Sequence, residues 1–295
     1  MTDRRDLKGL FGAEPAPVWP NGAKLAVSFV VNVEEGAELS IGDGDPRNEP
    51  VYEVREEIEG GPDLCMESHF SYGPRRGYQR IADAFARHNV RATYSTCGRA
   101  AERLPWLMRD AVDRGHEISC HGWRWERHAG MDRSQEAAII SRTYDAITKA
   151  SGVPPVGWHT RSASSVNTRA LLIEHGGFWY DSDAYDDDMP RRMGTHVILP
   201  YAFDTNDMRF SPGGGFVQAR DFSDYVTGAF DQLLTEGQTA TRMMSIGLHL
   251  RIIGKAGRIA GLDTVLNHIA AAPGVWIAPR REIAACWRAQ TGGST

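Results

Sequence analysis

Two histidines, a glutamate and two tryptophans fall within eleven residues, Gly115-His116-Glu117-Ile118-Ser119-Cys120-His121-Gly122-Trp123-Arg124-Trp125. The stretch is too polar for an ordinary buried strand and alternates too poorly for a surface one, so its composition asks for a chemical reason. A second cluster stands early: the adjacent carboxylates Glu34 and Glu35 follow directly on the apolar run 24–33. Carboxylates at the mouth of a buried strand are costly unless used or paired. Two so close also repel, which pushes one of them towards the range of a general base. His159 with Arg161, Asp181 with Asp183, Asp204 with Asp207, and His249 with Arg251 each follow a shorter apolar run in the same way. A carboxylate base, histidines that give or orient a proton and arginines that hold an anion amount to acid–base chemistry on a bound small molecule. The run 181–188 reads as a solvated loop with one structural carboxylate. Cys97 and Cys120 read as inert packing, because no activating arrangement surrounds them.

Such groups need a frame. Strand-like runs at 24–33, 91–96, 157–160, 178–180, 197–203, 243–248 and 275–278 alternate with helical patterns at 78–88, 104–114, 132–150, 167–175, 221–236, 262–271 and from 281 onwards. Residues 67–77 lead into the first of these helices, and Asp132 to Gln135 has the form of a capping box. The alternation predicts an α/β fold, a parallel barrel or doubly wound sheet of about seven strands, with reactive groups gathered at the strand C-termini. Residues 1–22 read as an N-terminal arm and 23–295 as a single domain, with a Gly/Pro/acid-rich, lid-like insertion at about 37–66. Gly213-Gly214-Gly215 reads as a flexible turn, and no strand is followed by a phosphate-binding glycine motif.

Composition excludes several classes. The formal net charge is −5, with 24% charged and 41% hydrophobic residues, and the basic residues are scattered, so no nucleic-acid footprint appears. The pairs Arg75-Arg76 and Arg280-Arg281 read as solvated or locally paired surface. No apolar run approaches a membrane span, and the first ten residues hold no secretory core. Four widely spaced cysteines read as reduced thiols, so a cytoplasmic location is expected.

Taken in order, Asn32-Val-Glu-Glu-Gly, the His116–Trp125 stretch, Tyr180-Asp-Ser-Asp-Ala-Tyr-Asp-Asp-Asp, Asp204-Thr-Asn-Asp-Met-Arg-Phe and Ser245-Ile-Gly-Leu-His249 resemble the polysaccharide deacetylase superfamily. The closer likeness is to its ring-opening branch, which includes allantoinase-like proteins and bacterial cyclic imide hydrolases (imidases). The resemblance runs from about residue 24 to 287, and it implies a distorted (β/α) barrel of seven strands and a homo-oligomer. In the metal-dependent deacetylases, the second acid of the pair and two histidines four residues apart hold zinc. Carried across, those positions are Glu35, His121 and Trp125. Tryptophan cannot ligate zinc, and a catalytic zinc normally has three protein ligands. Two readings therefore stand side by side: no cofactor, or one divalent metal held by Glu35, His121 and a replacement such as His249.

The resemblance implies hydrolysis of a C–N bond, which needs an activated water, stabilisation of the oxyanion and a proton for the leaving nitrogen. Glu34 or Glu35 is the candidate base, and His249 is the candidate acid or oxyanion partner. His121 is either a metal ligand or a donor orienting water. Trp125, His159, Arg161, Asp207 and Tyr72 are the candidate substrate-binding residues, with Arg161 or Arg251 placed to hold a product carboxylate. An imide or acylurea nitrogen leaves more readily than an amine because carbonyls share its lone pair, so a site short of a metal ligand favours a small cyclic imide. The turn around 158–161 and the residues near 33 and 46–61 differ from the allantoinase-like pattern, which also favours an imide over allantoin. Allantoinase activity is the alternative. A metal-dependent carbohydrate N-deacetylase and a non-catalytic small-metabolite-binding barrel are the further readings.

Overall fold

Strand β1 (Leu25–Val33) is buried at all nine positions, as a β-branched apolar run covered on both faces should be. The computed structural model describes residues 6–51, 56, 58–161 and 163–290. The later strands are β2 (Thr93–Thr96), β3 (Glu117–Cys120), β4 (Gly157–Trp158), β5 (Tyr180–Asp181), β6 (Arg191–Met193), β7 (His196–Ile198), β8 (Arg242–His249) and β9 (Val275–Ile277). They form one sheet in the order β6-β7-β5-β4-β3-β2-β1-β8, with β9 added on β1. From β7 through to β8 the neighbours pair in parallel. A parallel bridge from Asn206 to Gly247 links the two ends of the curved sheet. The expected barrel of about seven parallel strands is present, flanked by helices in the order a (β/α) barrel requires.

Two strands lie beyond that set. The β6–β7 hairpin is antiparallel, and the half-exposed Arg191-Arg192-Met193 carries no alternation from which to read it. Strand β9 lies beside residues 25–27 of β1, where β2, whose pairing begins opposite Val30, does not reach.

Several local expectations are corrected. Asp132 precedes helix Arg133–Ser151, but its side chain makes no capping bond. A complete capping box stands instead at Gln218 and Asp221, opening helix Ala219–Glu236. Residues 67–77 are already helical: helix Leu64–Tyr72, capped by Asp63, runs through a π-helical turn at Gly73–Gly77 into helix Tyr78–Arg87. Glycine is required there, because a Cβ on Gly77 would sit 1.9 Å from the Leu250 carbonyl oxygen and one on Gly73 2.5 Å from Glu35 Oε1. Trp19, in the segment read as an arm, is buried against Trp276 and Trp287 at 5.9 Å, and its Nε1 donates to the Arg242 carbonyl.

Arg280 is the largest departure from surface expectation, for it is 1% exposed. Its guanidinium donates to the hydroxyls of Ser182, Ser28 and Ser245 and to the carbonyls of Leu199 and Pro200, at 2.5–3.1 Å. One side chain thus ties the last helix to β1, β8 and the chain after β7. Arg280→Met keeps the bulk but strands the buried Leu199 carbonyl, while Pro200 keeps its bond from the Ser245 hydroxyl, and should lower unfolding free energy by about 1–3 kcal/mol. Denaturant titration of both forms checks this, and a loss under about 1 kcal/mol would mean the acceptors find other partners. No described helix is long and apolar enough to cross a membrane.

Candidate active site

Strand register gathers the site. Thr96, Cys120, Trp158 and Asp181 pair in succession across β2 to β5, and Asn32 pairs with His249. The residues just beyond these ends, Glu34, His121, His159 and Arg161, therefore share one rim with His249 and Arg251. They line a cavity of about 670 Å³ together with Trp125.

The two adjacent glutamates part company. Glu34 faces the cavity, where its carboxylate lies 3.5 Å from His121 Nε2, 3.5 Å from Arg161 Nε, 3.0 Å from Arg251 Nη1 and 4.0 Å from His249 Nε2. Glu35 turns away: its oxygens accept the backbone N–H groups of Glu34 and Arg251, and Gly73 packs on it. Neighbouring side chains leaving a strand point to opposite faces, which is why one alone is presented. Burial pushes Glu34 up, but Arg251, the His121 hydrogen bond, His249 and Arg161 together hold it well below the ordinary carboxylate value. Burial raises Glu35, only partly offset by Arg251. The raised carboxyl expected from the pair is therefore present, but on the residue that does not face the cavity.

His249 is held from behind. Its Nδ1 lies 2.6 Å from Asp207 Oδ1, while Asp207 Oδ2 accepts the backbone N–H groups of His249 and Ile253. Because a carboxylate only accepts, Nδ1 carries the proton and Nε2 is left facing Glu34. Burial alone would lower the imidazole pKa, but Asp207 and Glu34 outweigh it and raise His249 above 6.5. Asp207 is itself fully buried. It fixes His249 and does not line the cavity as a substrate contact.

His121 Nδ1 donates to the His159 carbonyl at 2.8 Å, which aims Nε2 at Glu34. The Arg161 guanidinium lies flat on Trp125, 3.3 Å from its ring centroid. Asp183 takes the Thr160 N–H and hydroxyl and so shapes the loop carrying His159 and Arg161. Burial and Asp181 raise its pKa to about 7. Asp181 pairs with Arg169 and His196, so the acidic run holds two structural carboxylates, one buried and one partly buried, where one was expected. Asp45 binds Arg124 at 2.6 Å, anchoring the insertion, while Glu49, Pro50 and Val51 reach the cavity.

Tyr72 is a correction. It does not line the cavity; its hydroxyl accepts from Arg80 and Lys255 lies over its ring. The first half of the polar stretch also serves structure, since His116 accepts the Ala92 N–H and Glu117 takes the hydroxyls of Thr93 and Tyr180 and the Arg281 N–H. Conversely, Asn32, Tyr185, Tyr201 and Phe203 line the cavity without having been singled out. Asn32 and Tyr201 are hydrogen-bonded to each other at 3.1 Å. Their positions, next to Glu34 or in loops after apolar runs, were the available signal.

A metal does not fit these residues. Among the described residues no three His, Cys, Asp or Glu side chains converge to hold one. Glu35 is committed to backbone N–H groups, Trp125 offers no donor, and Glu34 already faces two guanidinium groups.

The sequence profile of the polysaccharide deacetylases matches residues 61–176. A Schizosaccharomyces pombe protein classed with these deacetylases is 36% identical over 98% of both chains. A crystal structure of Puue allantoinase superposes with a TM-score of 0.94 at 38% identity, covering 100% of both chains. A structure from Pseudomonas aeruginosa PAO1, described as a polysaccharide deacetylase, gives 0.93 at 40% identity over 99% of this chain and 100% of that one. Full-length identity of this order, on a barrel that carries its acid–base groups at the strand ends, means that the chain belongs to the polysaccharide deacetylase family of hydrolases acting on C–N bonds.

Proposed function

We propose that this hydrolase opens a small cyclic imide to a half-amide acid. The observation that carries the reading is the convergence of Glu34 and the Asp207–His249 pair on one cavity. A water beside Glu34 gives a proton to its carboxylate as the water oxygen adds to the substrate carbonyl. His249 Nε2–H faces the oxyanion, then passes its proton to the ring nitrogen as the C–N bond breaks. Its Nδ1–H stays hydrogen-bonded to Asp207, and Glu34, 4.0 Å from His249 Nε2, returns the proton to it through one water. Arg161 offers a guanidinium fork to the new carboxylate, whereas Arg251 is held by both glutamates. An imide nitrogen is a good leaving group, which suits a site whose electrophilic help comes from an imidazolium.

Allantoin is the second reading, favoured by the full-length likeness to Puue allantoinase. The test is turnover of succinimide, maleimide, hydantoin and allantoin on one purified batch of known metal content, read by product chromatography. Opening of the imides but not allantoin supports the first reading, and opening of allantoin alone transfers the site to the second. Silence on all four would overturn ring opening and point to N-acetylated sugars.

A further inference from the structure

We infer that Tyr185 and Phe203 form a subsite for a flat apolar substituent, so that the preferred substrates are aryl-substituted cyclic imides. This rests on the ring-opening reading above. Both residues line the same cavity as Glu34. Their rings stack at 4.0 Å and 8°, although Tyr185 is 43% and Phe203 57% exposed. Stacked aromatic rings left open at a cavity present free faces and edges on which a third ring can pack.

The pair is continuous with the reacting centre. His121, against Glu34, has its ring 4.9 Å from that of His159; His159 lies 6.4 Å from Tyr185, and Tyr185 lies on Phe203. A wall of four rings thus runs from the reactive carboxylate to the exposed pair. It is pre-set: the Tyr185 hydroxyl is hydrogen-bonded to His159 Nε2 at 3.1 Å, and Tyr201 packs on His159 at 4.3 Å. Met208, also exposed, adds an apolar surface to the lining. At about 670 Å³ the cavity falls in the range that holds drug-sized ligands, far more room than a bare five-membered ring fills. A ring seated at Glu34 and His249 would lay a carbon substituent along this wall.

The experiment compares kcat/KM for 3-phenylsuccinimide and succinimide in the wild type and in Phe203→Ala, whose exposed side chain leaves folding intact by thermal melt. The wild type should favour the phenyl substrate by about tenfold or more, the size of one aromatic contact with the area it covers. Phe203→Ala should remove that preference, cutting kcat/KM for 3-phenylsuccinimide far more than for succinimide. Equal rates in the wild type, or loss on both substrates alike, would overturn the subsite. Should neither imide turn over, the cyclic imide reading fails by itself. Calorimetric binding of 3-phenylsuccinamate against succinamate then decides the subsite. Tighter binding of the phenyl acid that Phe203→Ala abolishes upholds it, and equal binding refutes it.

Discussion

Replacing Glu34 by glutamine is expected to lower kcat by about 10²–10⁴-fold, the range for loss of a positioned acid or base. The same change at Glu35 should leave most of the activity and lower thermal stability instead. Glutamine keeps the shape of Glu34 and leaves Arg251 its contact with Glu35, so the loss at position 34 reports the missing base and not a collapsed site. Glu35 accepts two backbone N–H groups in a buried setting, where an amide satisfies them less well. Paired kcat and melting measurements on both variants check this, and the reverse pattern would move the base to Glu35. Because the surrounding cations hold Glu34 well below its ordinary 4.5, the acid limb of kcat/KM should lie below that value.

His249→Ala is expected to cost a similar 10²–10⁴-fold, since it removes the proton donor and the group facing the oxyanion. The active form carries the protonated imidazole, so activity should persist above 6.5 and fall as pH rises through the elevated pKa of His249. Asp207 is a main cause of that elevation, and Asp207→Asn removes it. In that variant the alkaline limb should move to lower pH while the acid limb, set at Glu34, stays in place. A pH–rate profile in which Asp207→Asn lowers the rate without moving the alkaline limb would refute His249 as the acid.

Much of the site was legible because strand ends are legible. An apolar run followed at once by polar residues marks the point where a buried chain emerges, and parallel pairing brings such points to one rim. Glu34, His121, His159, Arg161 and His249 were placed in this way. The length of β1, its burial and the α/β order followed from the same periodicity. The β6 strand was not legible, because a short, half-exposed hairpin leaves no hydrophobic pattern.

What sequence determined by itself was the set of reactive groups and the frame that collects them, since both are written in the order of apolar and polar residues. Tertiary structure decided which of Glu34 and Glu35 is used, because the close approach of Gly73 and the Arg251 N–H captures one of them. It placed Asp207 behind His249 from 42 residues away. It drew Arg280 into the core, took Tyr72 out of the site, and stacked Tyr185 on Phe203 at the cavity. These are contacts between distant segments, fixed by side-chain direction and packing, which no local pattern of residue types encodes.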